Sequence, residues 1–134
     1  MDFPKKYGPV DAPSEVLKLT ERLVPLLIEG DHPALSALRH QFLGARIKQV
    51  ELTGAGFYVD FEVSPDAPLA AEPSDFAGGY ARITLKGARK DAGCVLFVRG
   101  GRLVALEGYT YGDDAWLENT VILSVENVVP VDPG

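Results

Sequence analysis

A chain of 134 residues has the length of one ordinary domain, and area scaling has it bury about two-thirds of its unfolded surface, enough for a core without metals or disulfides. Hydrophobic residues make up 46% and charged residues 24%, with thirteen Lys and Arg against nineteen Asp and Glu, a formal charge of −6. That balance argues against nucleic acid or an anionic membrane as the main partner, since both need a cationic footprint, and the one cysteine, Cys94, excludes an intrachain disulfide or an all-cysteine zinc site.

No apolar stretch follows Lys5 and Lys6, and the longest aliphatic run, 23–28, is interrupted by Pro25. Neither a secretory signal nor a spanning helix is read, and the cytoplasm is the expected compartment.

Residues 1–10 carry Pro4, Gly8 and Pro9 without periodicity and read as a loosely held arm. A helix is predicted from about 11–14, with Asp11 or Ser14 as cap and Pro13 in the first turn. Val16, Leu19, Leu23, Leu26 and Leu27 share one face; Pro25 should kink or end the helix, and Gly30 stops it. A second helix starts at Asp31 as cap with Pro33 in its first turn, carries the stripe Leu35, Leu38 and Phe42, and closes at Gly44.

The period then changes to two. A weak strand is predicted over 46–53, and a clear one over 57–63, where Phe57, Val59, Phe61 and Val63 alternate with Tyr58, Asp60 and Glu62. Residues 64–79, with Pro65, Pro68 and Pro73, form a long loop. Strands follow over 80–86, over 94–98, which is apolar throughout as if covered on both faces, and over 103–107 after a Gly100-Gly101 hairpin turn. A last strand, 120–129, sets Val121, Leu123 and Val125 against Ile122, Ser124 and Glu126. Helices followed by strands predict a single α+β domain, 1–134, with two N-terminal helices packed on a mainly antiparallel sheet of five to six strands.

Little in the chain carries recognisable chemistry. His32 and His40 lack the spacing of paired metal ligands, and Cys94 sits in a core-like strand without a cationic neighbour. The glycines at 54, 56, 100 and 101 lack the companions of a nucleotide loop. Glu51, Asp60, Glu62 and Glu107 fall on predicted strands, where a meeting pair could do acid–base work, although acids there are mostly the wet face of a sheet. No catalytic residue, metal or cofactor is assigned.

Residues 107–118 stand apart, with Tyr109, Tyr111 and Trp116 among Glu107, Asp113, Asp114 and Glu118. No Lys or Arg occurs after Arg102, so the six acids beyond it equal the whole charge of −6. Exposed, the aromatics would anchor a partner, and the acidic field would speed its encounter if that partner were basic. Folded back, Trp116 and one tyrosine would plug the core. Calcium is disfavoured, because Asp113 and Asp114 lack alternating ligand spacing.

Three blocks, DHPALSALRHQ at 31–41, TGAGFYVDFEV at 53–63 and GCVLFVRGGRLVALEGYTYGDDAW at 93–116, resemble a family of small, uncharacterised bacterial proteins. The blocks cover somewhat under half the chain; proline often follows the family's tryptophan, whereas Leu117 stands here. The family brings no activity, but some members resemble immunity proteins of bacterial toxin systems. Two readings follow from the sequence. One is a non-catalytic protein that binds a protein partner, with immunity to a basic toxin as an instance, through Glu107, Tyr109, Tyr111, Asp113, Asp114 and Trp116. The alternative is a small enzyme or small-ligand binder with a carboxylate-lined pocket between helices and sheet, lidded by 64–79. Pairing of two copies through edge strands is a third possibility.

Overall fold

Apolar spacing changes at Gly44 from helical to alternating, and the backbone changes with it. In the computed structural model, which describes residues 3–134, β1 (Lys5–Tyr7) precedes helices α1 (Ser14–Leu27) and α2 (Pro33–Gly44). Seven strands follow: β2 (Arg46–Leu52), β3 (Gly56–Glu62), β4 (Phe76–Gly78), β5 (Tyr80–Leu85), β6 (Gly93–Arg99), β7 (Arg102–Tyr109) and β8 (Ile122–Val129). One antiparallel sheet runs β1-β2-β3-β7-β6-β4, and β5 and β8 form a two-stranded ribbon, so the fold is α+β as the sequence predicts. No helix is long and apolar enough to cross a membrane among the described residues.

The helices fill one face of the sheet. Val16, Leu19, Leu23, Val24 and Leu27 of α1 are buried, with Val24 in the place expected of Leu26. Each fully buried aliphatic side chain contributes about 1.5–3 kcal/mol. Pro25 does not end α1: it lies on the exposed side, where the carbonyl left without a helical partner is open to solvent, and the helix runs on to Leu27. At α2 the cap is His32 rather than Asp31, its Nδ1 accepting the Ala34 N–H at 3.0 Å. Arg39 reaches back from α2 and donates to the carbonyls of Ile28 and Gly30, at 2.7 and 3.0 Å, which joins the two helices at their elbow.

Three further expectations are corrected. The N-terminal arm is not loose: Lys5, Lys6 and Tyr7 pair with Leu52, Glu51 and Val50, and residues 1–2 of that arm lie outside the described residues. In β6 only Cys94, Leu96 and Val98 face the core, while Val95 and Phe97 are half-buried on the opposite face. In β8 the inward residues are Ile122, Val125 and Val128. Two irregularities in the pairing with β5 stretch the alternation to threes and turn Leu123 outward; a positive φ of 54° at Asn127 lies within the second.

α1 lies along the edge of β8 that β5 leaves open. Glu15 accepts the Ile122 N–H at 3.1 Å near the start of α1, and the Leu27 carbonyl accepts the Val131 N–H at 2.7 Å at its end. A helix bonded to a strand edge at both ends hinders other chains from pairing there. β4 and β5 follow one another: beyond Gly79, at φ +80°, β5 bridges to the residue just before β6 through reciprocal Ile83–Ala92 hydrogen bonds of 2.9 and 2.7 Å, and pairs with β8.

Candidate functional site

Register decides which of the singled-out residues meet. On the sheet face opposite the helices, Lys6, Glu51, Tyr58, Glu107 and Val95 stand in one row across β1, β2, β3, β7 and β6. A second row holds Gln49, Asp60, Ala105, Phe97 and Ala77. Tyr58 and Glu107 are half-buried. The hydrogen bond from the Tyr58 hydroxyl to Glu107 holds that phenol above its ordinary 10.0, with desolvation and the Glu51 charge acting the same way. A tyrosine beside a carboxylate is thus present, but on an open face rather than in a concavity.

Next along β7, Tyr109 faces the same side with its ring across Gly93, its register partner. It meets Tyr111 edge-to-face with centroids 5.6 Å apart. Burial pushes the Tyr109 phenol up to about 12, and the hydrogen bond with Tyr111 adds to the shift. Tyr111, 43% exposed, and the exposed Asp113 form the tip of the loop around Gly112 at φ +60°.

Trp116 and Asp114 serve the fold, which corrects their expected place in a contact surface. Trp116 is 0% exposed, bridges to Gly54 with its backbone N–H on the Gly54 carbonyl at 2.9 Å, and packs edge-to-face on Phe57 at 4.9 Å. The Asp114 carboxylate accepts the backbone N–H groups of Arg89 and Lys90 at 2.9–3.0 Å, which fastens the loop to the turn at 86–90. Those amides, Arg89 first, hold the Asp114 carboxyl below its ordinary 3.8. Thr110 fixes the base of the loop, its hydroxyl lying 2.8 Å from the Ala55 carbonyl and 2.7 Å from that of Asp114. Beyond it, Glu118 pairs with Lys5.

Of the six expected contact residues, Glu107, Tyr109 and Tyr111 therefore come together at one end of the outer face, and Asp113 is exposed in the adjoining loop. The sequence missed Tyr58 and Glu51 as their neighbours. Alternation in β3 does point Tyr58 outward, but which strand lies beside it depends on pairing between segments about fifty residues apart.

The lid expected at 64–79 is a strap. Ala70 donates to the Gly101 carbonyl at 3.0 Å, Gly101 to Ser74 at 2.8 Å, and Gly100 to the Asp75 carboxylate at 2.6 Å. Beneath it lies Gln41, which is buried: its amide donates to the Pro68 and Gly101 carbonyls at 2.8 and 2.7 Å and accepts from the Leu103 N–H at 2.9 Å. A groove between helices and sheet exists elsewhere, of about 550 Å³, lined by Leu17, Thr20, Glu21, Phe42, Arg46 and Phe61 among others, with one carboxylate and no converging pair. Among the described residues no three His, Cys, Asp or Glu are grouped to hold a metal ion. Burial pushes the Cys94 thiol up to about 11, despite a backbone hydrogen bond from Ala81. The chain matches no family model, no curated protein sequence and no solved structure.

Proposed function

We propose that the protein is a non-catalytic binding protein whose outer sheet face and adjoining loop tip take a basic protein partner. The observation that carries this reading is the cluster of Tyr58, Tyr109 and Tyr111 with Glu51 and Glu107 on a face without a helix, with Asp113 exposed in the adjoining loop. Half-buried tyrosines offer contact area at little cost in side-chain entropy, and acids around them favour a cationic partner and repel an anionic one. Lys6 pairs with Glu51 at 4.0 Å at the far end of the row, whereas Glu107 and Asp113 are in no ion pair among the described residues. Occlusion is the mechanism such a surface serves, and immunity to a basic toxin is one instance, in line with the resemblance noted above. Trp116 and Asp114 contribute from behind, by holding the loop.

A photo-crosslinking residue at position 111, compared with one at Glu29 on the helix side, tests the reading in cells. A discrete adduct with a basic protein is expected from position 111, weakened by high salt and by the pair Glu107→Gln and Asp113→Asn. Equal labelling from both positions, or an adduct indifferent to salt and to the double replacement, would overturn it.

A further inference from the structure

The groove between the helices and the sheet is an unsatisfied surface of a different kind. Phe42 and Phe61 meet edge-to-face in it at 6.1 Å, and Leu17 and Ile47 line its sides. Val10 and Leu43, 97% and 86% exposed, are the most exposed large apolar side chains among the described residues, and each is the chain neighbour of a groove residue, Pro9 and Phe42 respectively. An apolar groove with strongly exposed apolar side chains next to its residues in the chain is the kind of surface that marks an interaction site.

Charge says what fits there. Glu21 stands on the α1 wall and Arg46 on the β2 wall, both exposed and neither in an ion pair among the described residues. A two-fold axis along the groove places each α1 wall against the partner's β2 wall, so a surface with its acid on one wall and its base on the other is complementary to itself. We propose that this groove is the interface between two copies of the chain, with Glu21 of each copy opposite Arg46 of the other. Leu43 of each copy supplies the apolar projection that fills the other's groove. The usual route to a sheet dimer is poorly served here, since α1 bonds the edge of β8, the edge strand β1 carries Lys5 and Lys6, and the other edge strand of the main sheet, β4, is only three residues long. The assembly leaves both outer faces open and so presents two binding surfaces; it does not depend on what those faces bind.

Light scattering after size exclusion, at about 100 µM and on dilution, tests this through a charge exchange. The parent chain should elute at twice its 14.4 kDa. Arg46→Glu and Glu21→Arg should each raise the dissociation constant at least about tenfold, by facing like charges across the axis, and the double variant should restore the dimer. Leu43→Glu should give a folded monomer. Thermal melts of the variants separate loss of pairing from loss of fold, since all three side chains are exposed. A parent chain that stays monomeric at that concentration, whether the groove then takes a small amphipathic molecule or another protein, overturns the proposal. So does a dimer that neither reversal weakens, or one that the double exchange fails to restore.

Discussion

The ring of Tyr109 lies across Gly93 so closely that a Cβ on Gly93 would stand 2.7 Å from the Tyr109 hydroxyl and 2.8 Å from the ring. On the other face Phe57 covers Gly108 in the same way, 2.1 Å from where a Cβ would be. Both are cross-strand pairs, Gly93 with Tyr109 and Gly108 with Phe57. A strand glycine leaves bare backbone, and an aromatic ring from the neighbouring strand is the shape that closes it. One pair secures the core beneath the loop, the other orders the tyrosines above it.

The two glycines should respond differently to alanine. Gly108→Ala drives a methyl into Phe57, which Trp116 holds from the other side, and should cost about 3 kcal/mol or more. At Gly93 the obstacle is a ring beside solvent that can swing outward, for about 1–2 kcal/mol. Its release should also bring the Tyr109 phenol down from about 12 toward its ordinary 10.0. Urea unfolding and the alkaline absorbance titration of tyrosinate measure the two effects; equal costs at both sites would refute the account.

Gln41→Leu should destabilise by about 2–4 kcal/mol, because it leaves the buried Leu103 N–H and the Gly101 carbonyl short of partners. Amide exchange should accelerate at Leu103 and at Ala70, whose N–H shares the Gly101 carbonyl with Gln41. Unchanged exchange at both amides would mean that the strap is held by something else.

Acid should loosen the loop before the core. The Asp114 carboxyl lies below its ordinary 3.8 through the amides of Arg89 and Lys90, and that of Glu118 below 4.5 through Lys5 and then Tyr7. Groups with depressed folded values stabilise above their unfolded pKa, so this contribution is complete above about pH 5 and is lost as pH falls below about 4. Asp114→Asn and Glu118→Gln should each lower the urea midpoint at neutral pH and flatten its decline in acid. Parallel pH curves for variant and parent would contradict the assignment.

Cys94 should resist a thiol reagent such as dithionitrobenzoate in the native protein. Its thiol is buried and pushed up to about 11, so thiolate forms only when the sheet opens. Labelling should follow the unfolding equilibrium across a urea series, and immediate labelling in water would place Cys94 at the surface.

What the sequence made legible was local. The stripe of α1, the Gly100-Gly101 turn and the alternation of β3 each depend on a dozen residues or fewer, and the last two stand as expected while the first differs only in burying Val24 instead of Leu26. β1 was missed because three residues pair with a strand over forty positions away. The β8 pattern misled because its irregularities arise in the pairing with β5, not in its own residues. In the loop, Trp116 and Tyr111 have similar sequence surroundings; the difference is that Trp116 reaches Gly54 and Phe57, while Tyr111 reaches only Tyr109 and solvent. Acids and aromatics announce an unusual segment, and tertiary contacts alone sort its anchors from its plugs.

The seating of α1 against β8 has a bearing on synthesis. Glu15 and its partner amide are 107 residues apart, so a ribosome delivers the helix long before the strand that it borders. Until residues 122–131 emerge, the apolar stripe of α1 lacks part of its cover, and the nascent chain must carry it half-dressed among chaperones. Closure of that face waits for the last strand, and a stall in translation before that point would strand the chain in its most adhesive form.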